Sequence, residues 1–222
     1  MTKPLLPAPA IQPYGDAAVL LSYDVKGYSS AANDAVLALA AHFKSQSGWT
    51  DIVSGYDSVM ATFDPSVMRL GAAVNRFQLA ANDVQSLPHA PQEIIDIPVH
   101  YGGENGPDMG TIMASAGLSD KAVIDAHASM TYRVCMMGFV PGFAFLSPPP
   151  KPLHHPRHET PRLSVPKGSV GIAGWQTGIY GLSSPGGWQI IGRTEIDIFD
   201  ARRSPPFYMK AGDSLRFVPV KP

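Results

Sequence analysis

From Met130 onward the sequence shows no helical periodicity, and this limits the possible folds more than any other feature. Short β-branched or aromatic runs are separated by proline or glycine about every eight to twelve residues. Proline interrupts helices and has no N–H to donate within a central strand, so only short strands and turns fit this spacing. Such strands are typical of a β-barrel or a β-sandwich. We therefore predict a mainly β C-terminal region.

The first part of the sequence alternates strand and helix signals instead. Residues 15–23 (GDAAVLLSY) predict a strand, and residues 50–63 predict two strands joined by a bend at Gly55. Between them, an amphipathic helix begins behind Ser29 or Ser30 as its cap. The apolar face of this helix consists of Ala32, Val36, Leu39 and Phe43.

A second helix is predicted after Asp64 and Pro65, which supply an N-cap and a first-turn proline. We expect it to be the longest helix, with an apolar face formed by Val67, Leu70, Val74 and Phe77. With a further strand at residues 94–101, the element order suggests a small α+β, ferredoxin-like unit. We place the boundary in residues 87–92 (LPHAPQ), which gives domains at 1–90 and 91–222.

Two short helices are predicted between that boundary and Met130. The first ends at Gly117, and its shared face contains Met109, Ile112, Met113 and Ala116. Ser119 caps the second helix, which ends at His127.

Composition excludes several classes of partner. The 222 residues carry a formal net charge of −1 and no basic run, which argues against a protein that binds nucleic acid or an anionic membrane. The single cysteine, Cys135, cannot form an internal disulfide, and we expect it to be a small buried hydrophobe. No apolar stretch is long enough to span a membrane, and no signal-peptide pattern opens the sequence. We expect a cytoplasmic protein.

Residues 168–193 contain eight of the 21 glycines and two of the three tryptophans. They do not form a phosphate-binding loop, because no helix begins directly after the glycines to hold an anion. Two interpretations stay open. The glycines turn the corners of a barrel, or they let the backbone approach a ligand whose walls are Trp175, Tyr180 and Trp188.

Other polar residues suggest possible sites. His154, His155 and His158 resemble a metal cluster, but Pro152 and Pro156 exclude a regular helix through them, so we predict a solvated loop and no metal ligand set. Arg162 and Arg193 lie in segments that contain proline or glycine, and a guanidinium group suits bidentate capture of carboxylate or phosphate. The alternative for each arginine is a surface ion pair.

Four stretches together resemble the KipI family, also described as the B subunit of 5-oxoprolinase or as allophanate hydrolase subunit 1. They are residues 101–109 (YGGENGPDM), 132–146 (YRVCMMGFVPGFAFL), 160–194 (TPRLSVPKGSVGIAGWQTGIYGLSSPGGWQIIGRT) and 199–220 (FDARRSPPFYMKAGDSLRFVPV). The sequence departs from the family pattern at Phe145, Ser147, Gly181 and Ser183. The resemblance implies an α+β N-terminal domain followed by a cyclophilin-like β-barrel domain.

The resemblance also implies a function. Members of the family act as one subunit of an ATP-dependent 5-oxoprolinase, which opens 5-oxoproline to glutamate together with a KipA-like partner, the C subunit, and a third subunit, A. By this resemblance the chain is an enzyme subunit that is inactive alone, and ATP is used by the complex. Two alternatives are a carboxyltransferase-like component of a urea or allophanate pathway enzyme, and a KipI-like inhibitor of a sensor histidine kinase.

By the same resemblance, we expect the site in the barrel domain. The candidate catalytic residues are Arg162 and Arg193, which would stabilise negative charge, and Gln176, which would hydrogen-bond the substrate. The candidate substrate-binding or groove-lining residues are His127, Phe139, Pro141, Phe143, Tyr180, Ser184 and Trp188.

Overall fold

A computed structural model describes residues 6–84 and 94–220 of the chain. The chain divides into two compact units, Met1–Pro91 and Gln92–Pro222. The boundary that we predicted at residues 87–92 lies outside the described residues.

The N-terminal unit contains an antiparallel four-stranded sheet and two helices. Its elements are β1 (Ala10–Pro13), β2 (Ala18–Ser22), α1 (Ser30–Lys44), β3 (Trp49–Ser54), β4 (Ser58–Phe63) and α2 (Leu70–Asn82). The strand order is β1-β2-β4-β3. The Ser29 side chain accepts a hydrogen bond from the Ala32 N–H and caps α1, as the sequence predicted. The predicted apolar face of α1 is buried against the sheet.

Two details of the prediction for this unit are wrong. Helix α2 has 13 residues and α1 has 15, so α2 is not the longest helix. It begins at Leu70 because Asp64 accepts hydrogen bonds from the N–H and hydroxyl of Ser66 and closes a separate turn. Val67, which we placed on the apolar face of the helix, is therefore 75% exposed.

The strand at residues 94–101 does not join this sheet. The position at the sheet edge next to β2 is taken by Ala10–Pro13, a strand that the sequence analysis missed. Ile94–Tyr101 (β5) pairs instead with strands of the second unit. Its alternating Ile97 and Val99 are fully buried in the core of that unit, which explains the pairing.

The second unit is a closed seven-stranded barrel. Its helices are α3 (Met109–Ala116) and α4 (Asp120–Ala128), and its other strands are β6 (Thr131–Met137), β7 (Ala144–Leu146), β8 (Arg162–Val165), β9 (Ser169–Ala173), β10 (Gln176–Ile179), β11 (Ser184–Gly186), β12 (Gln189–Arg193) and β13 (Ser214–Pro219). The barrel order is β10-β7-β6-β13-β5-β12-β9, and β8 pairs with β11 in a separate ribbon. The predicted fold class, an α+β unit followed by a β-barrel, is confirmed.

Period-two alternation gives the barrel two apolar faces. Val170 and Ile172 of β9 and Ile179 of β10 point into the main core, which fills the barrel. A second, smaller cluster lies on the outer face of the same strands and contains Phe143, Val165, Ala173, Tyr180, Trp188 and Ile190. Three members of this outer aromatic cluster, Phe143, Tyr180 and Trp188, form walls of the candidate site.

No helix in the described part of the chain is long and apolar enough to cross a membrane.

Candidate functional site

A cavity of about 430 Å³ opens beside the outer aromatic cluster. Five of the residues that we predicted for a groove line it, namely Phe139, Phe143, Tyr180, Ser184 and Trp188. Phe145 and Arg157 are also part of its wall. Its size falls within the range of about 300–1,000 Å³ that is usual for small-molecule sites.

The aromatic walls are fixed by edge-to-face contacts. The ring of Phe143 lies at the centre, with ring centroids 4.8 Å from Tyr180 and 5.2 Å from Trp188. Phe139 extends the wall to the surface, 5.6 Å from Phe143, and is 64% exposed. Its φ of 64° is the one positive value at a non-glycine residue in the described chain. Backbone strain of this kind persists where the surroundings impose it, often at functional sites.

Two glycines make room for these large side chains. A Cβ on Gly178 would lie 2.7 Å from the Ala144 carbonyl oxygen and 3.2 Å from the Trp188 ring. A Cβ on Gly171 would lie 3.1 Å from the Trp188 Cβ. Both glycines sit in barrel strands, so the glycine-rich stretch here serves to seat the Trp188 ring against the strands.

The hydroxyl of Tyr180 is buried at the cavity. Burial raises the pKa of Tyr180 to about 12, although the charges of Arg157 and Arg162 oppose that rise. The phenol is therefore neutral at physiological pH, and both arginines project positive charge into this region.

A buried carboxylate holds Arg162 in place. Asp108 follows the turn before α3, and its Oδ1 accepts a hydrogen bond of 2.6 Å from Arg162 Nη2. Its Oδ2 accepts one of 2.6 Å from the Ile190 N–H, and His158 Nε2 lies 3.2 Å from Oδ1. Asp108 therefore links the α3 turn, β8, β12 and the loop before β8.

The protonation of Asp108 is set by two opposing effects. Burial favours the neutral acid and would raise its pKa, but hydrogen bonds from Arg162, the Ile190 N–H and His158, with the charge of Arg162, outweigh burial. The pKa of Asp108 is lowered as a result. The carboxylate and the Arg162 guanidinium form an ion pair at neutral pH.

His127 lies in the core of the barrel unit and does not line the cavity. Its Nε2 is 3.0 Å from Thr177 Oγ1, whose own proton is donated to the Gly171 carbonyl. Nε2 therefore carries the hydrogen, and Nδ1 accepts from the hydroxyl of Tyr101 at 2.8 Å. Complete burial lowers the pKa of His127 to about 3, so the ring is neutral.

The remaining predicted site residues lie elsewhere. Arg193 is exposed, and its Nε donates to the Lys167 carbonyl at 3.2 Å. Gln176 is half-buried at the start of β10, next to the hairpin turn that contains Trp175. Pro141 is exposed in the loop that follows Phe139. None of these residues is part of the cavity wall.

Sequence reasoning missed three residues that the structure brings to the site, which are Asp108, Arg157 and His158. Asp108 belongs to the motif at residues 101–109, so its signal was present in the resemblance. We had assigned His158 to a solvated loop, whereas the loop folds back on β11 through a hydrogen bond of 2.7 Å from the His158 N–H to the Gly187 carbonyl. That pairing also brings Arg157 to the cavity.

The other histidines of that loop make backbone contacts. His154 Nε2 lies 3.0 Å from the Pro149 carbonyl, and His155 Nδ1 lies 3.0 Å from the Pro156 carbonyl. Across residues 6–84 and 94–220, no group of three His, Cys, Asp or Glu side chains could hold a metal ion. Cys135 is fully buried, as predicted.

Comparison with known proteins assigns the chain to a family. The family described as "Carboxyltransferase domain, subdomain C and D" matches residues 9–209. This chain belongs to that family. The match covers both units, and the resemblance to the KipI family that the motifs indicated is confirmed.

Relatives in the carboxyltransferase C and D family include two proteins named as the B subunit of 5-oxoprolinase. The one from Escherichia coli O157:H7 is 48% identical over 149 residues, which are 67% of this chain and 68% of that protein. The one from Bacillus subtilis strain 168 is 36% identical over 222 residues, with 95% of this chain and 92% of that protein covered. Among solved structures, TTHA0988 is 35% identical with a TM-score of 0.79 over 92% of this chain. This chain spans 40% of the TTHA0988 chain.

Proposed function

We propose that this chain is the B subunit of an ATP-dependent 5-oxoprolinase, which opens the ring of 5-oxoproline to give glutamate. It works with a KipA-like partner, the C subunit, and a third subunit, A, and it is inactive alone. The observation that carries the proposal is the similarity to the B subunit of B. subtilis 5-oxoprolinase along 95% of this chain. The identities of 48% and 36% to proteins named as the B subunit of 5-oxoprolinase favour this function over the urea-pathway alternative.

Ring opening requires activation of the substrate because 5-oxoproline is a lactam, and amide resonance makes its carbonyl a poor electrophile. If the lactam oxygen attacks the γ-phosphorus of ATP, ADP leaves and the ring carbon becomes more electrophilic. Water then adds to that carbon, and the ring C–N bond breaks with the nitrogen leaving as the amine, which gives γ-glutamyl phosphate. A second water hydrolyses this acyl phosphate to glutamate and phosphate. Negative charge is redistributed at each stage, and fixed positive groups in a site sheltered from water stabilise it.

The cavity has properties that suit part of this work. Phe143, Tyr180 and Trp188 provide apolar walls that exclude water and strengthen electrostatic interactions. Arg162 is held near these walls by Asp108 and by a long contact of 3.5 Å to the Trp188 carbonyl. An arginine held by a buried carboxylate is preorganised, so it need not reorganise as charge develops.

The geometry supports Arg162 more strongly than the other two predicted catalytic residues. All three lie outside the cavity wall, but Arg162 is held by the buried Asp108 and contacts the Trp188 carbonyl, whereas the catalytic roles of Arg193 and Gln176 stay predictions. His127 is better explained as a residue of the core, because both of its ring nitrogens have partners there.

Reconstitution tests the proposed function. The chain is purified with its KipA-like partner and the third subunit, and ATP-dependent conversion of 5-oxoproline to glutamate is measured for every combination of one, two and three subunits. We expect activity only when all three subunits and ATP are present. A complete complex that assembles but leaves 5-oxoproline intact would refute the proposal.

A further inference from the structure

The two arginines near the cavity differ in how their charge is used. Arg162 is paired with Asp108 at 2.6 Å, whereas Arg157 makes no ion pair with a carboxylate in the described part of the chain. The Arg157 guanidinium lies 5.7 Å from the centre of the Trp188 ring, and its side chain forms part of the cavity wall. It is thus a cation placed by an aromatic ring and still able to take an anion.

A second polar group on the wall is also without a partner. Ser184 is 8% exposed, and its Oγ has no hydrogen-bond partner among the described residues. A buried hydroxyl that lacks a partner costs free energy, and such groups call for an explanation. A serine hydroxyl both donates and accepts, so a bound amide would satisfy it.

The rest of the wall limits what the ligand can be. Five of its twelve residues are aromatic and three more are valine or proline, so it suits a ligand with a flat or apolar face. Arg157 is its single cationic side chain, since Arg162 lies outside the wall. One free guanidinium matches one carboxylate in a bidentate pair, whereas a triphosphate is usually held by several cationic groups and a metal ion. The features together fit a small ring that carries an amide and one carboxylate.

We propose that Arg157 binds the carboxylate of the cyclic amide substrate, while Ser184 hydrogen-bonds its ring amide and the ring lies against Phe143 and Trp188. This assignment rests on the proposed function and names the substrate-binding residues of the same cavity. Arg157 acts here in binding and specificity and takes no part in bond breaking.

The test compares Arg157→Leu with wild type in the reconstituted complex of all three subunits. We expect KM for 5-oxoproline to rise about tenfold to a hundredfold with kcat nearly unchanged, because the carboxylate contact is equal in the ground and transition states. KM for ATP should stay the same. Arg157→Lys should recover part of the affinity, since a lysine keeps the charge but loses the bidentate geometry.

An inhibitor that lacks the carboxylate shows whether Arg157→Leu affects recognition of the carboxylate or disturbs the cavity as a whole. 2-Pyrrolidinone has the same ring and amide, so its inhibition constant should be equal in wild type and Arg157→Leu. Arg69→Leu, at an exposed arginine of the N-terminal unit, is the matched control and should behave as wild type. Ser184→Ala should weaken both ligands, by about threefold to tenfold.

The outcomes distinguish this inference from the proposed function. If wild type is active but Arg157→Leu leaves KM for 5-oxoproline unchanged, the inference is wrong and the function stands. If KM for ATP rises instead, Arg157 binds phosphate and the carboxylate assignment is wrong. If wild type is inactive, equilibrium dialysis of 5-oxoproline with the complex shows whether the substrate site exists without the proposed activity. Binding that is lost in Arg157→Leu supports the site without the function, and no binding to wild type refutes both.

Discussion

The two units of this protein differ in what they bury. Of the nine buried polar or charged residues in the described chain, Asn33 alone belongs to the N-terminal unit. The other eight lie in the barrel unit and include Asp108, His127, Thr177 and Ser184. Burying polar groups reduces stability unless each is hydrogen-bonded, so the barrel unit is the more sensitive of the two to conditions and to substitution.

The N-terminal unit instead has an aromatic core. Phe43 stacks on Phe77 with ring centroids 4.4 Å apart, and Trp49 meets both rings edge-on at 5.3 and 5.6 Å. Such contacts depend little on pH. The contrast is in line with our proposal that the site of the chain lies in the second unit.

The largest expected difference between the two units is in their stability in acid, and its cause is His127. In the unfolded chain His127 takes up a proton near its ordinary pKa of 6.5, but in the fold its pKa is about 3. Between these values the unfolded state holds more protons, so the barrel unit loses stability as the pH falls, by on the order of 5 kcal/mol in total. Hydrogen exchange measured from pH 7 to about pH 4 should show the barrel segments opening before the N-terminal sheet.

The control for this prediction is His127→Gln, which keeps two hydrogen-bonding groups but cannot titrate. Its free energy of unfolding should be lower at pH 7 and should depend less on pH. Asp108 is not the cause in this range. Its lowered pKa gives stability that is present at neutral pH and is lost only as the pH falls through that pKa. If both units were equally sensitive to acid, the predicted difference in their stability would be wrong. The expectation that 1–90 and 91–222 unfold as separate domains would then be wrong too.

Arg162→Ala should have the next largest effect, on turnover. Its removal takes away a positive group near the cavity and leaves Asp108 buried without its main partner, so we expect about a hundredfold lower turnover in the complex, or about 2.7 kcal/mol. Arg193→Ala should cost much less, because Arg193 is exposed and donates to the Lys167 carbonyl, with no buried carboxylate in the described chain to hold it near the cavity. Assembly and thermal unfolding of each variant show whether the fold is kept. Near-normal turnover in a folded Arg162→Ala complex would make this arginine structural.

The comparison also shows which parts of the fold can be predicted from sequence. In the N-terminal unit, α1 follows from local signals, since its cap and its apolar face lie within one stretch of chain. The sequence analysis counted strand β5 in the element order of the α+β unit although it follows the predicted boundary. Its partners, β12 and β13, lie about a hundred residues away in sequence, so local signals could not identify them. Alternation shows that a strand has a buried face, but not which sheet covers it.

Prediction of the candidate site from sequence is limited in the same way. Phe143, Tyr180 and Trp188 could be predicted because they lie in motifs that resemble the KipI family. Arg157 lies outside those motifs, in a loop with no regular periodicity, and reaches the cavity only because the loop pairs with Gly187. Arg193 lies within a motif, yet the structure places it away from the wall. A motif therefore identifies the region of a site better than the direction of each side chain.

Gly178→Ala should destabilise the barrel unit by about 1–3 kcal/mol, since the added methyl would overpack the strands. The neighbours that it would meet are the Ala144 carbonyl and the rings of Phe143 and Trp188. Chemical denaturation of the variant measures the loss, and substrate affinity in the complex should fall as the Trp188 wall shifts. An unchanged denaturation midpoint would show that the outer face of the barrel is loosely packed.

The smallest expected effect comes from two glycines at which the units should behave alike. Gly71 in α2 and Gly110 in α3 are each the second residue of a helix, and a Cβ at either would meet nothing within 4 Å. Alanine loses less backbone entropy than glycine in a helix, so each Gly→Ala change should raise the free energy of unfolding, by up to about 1 kcal/mol. Denaturation of the two single variants measures this, and the gains should add in the double variant. A loss of stability at Gly110 but not at Gly71 would show that the barrel unit is intolerant of substitution even at its open helical surface, and that its sensitivity is not confined to buried polar groups and packed strands.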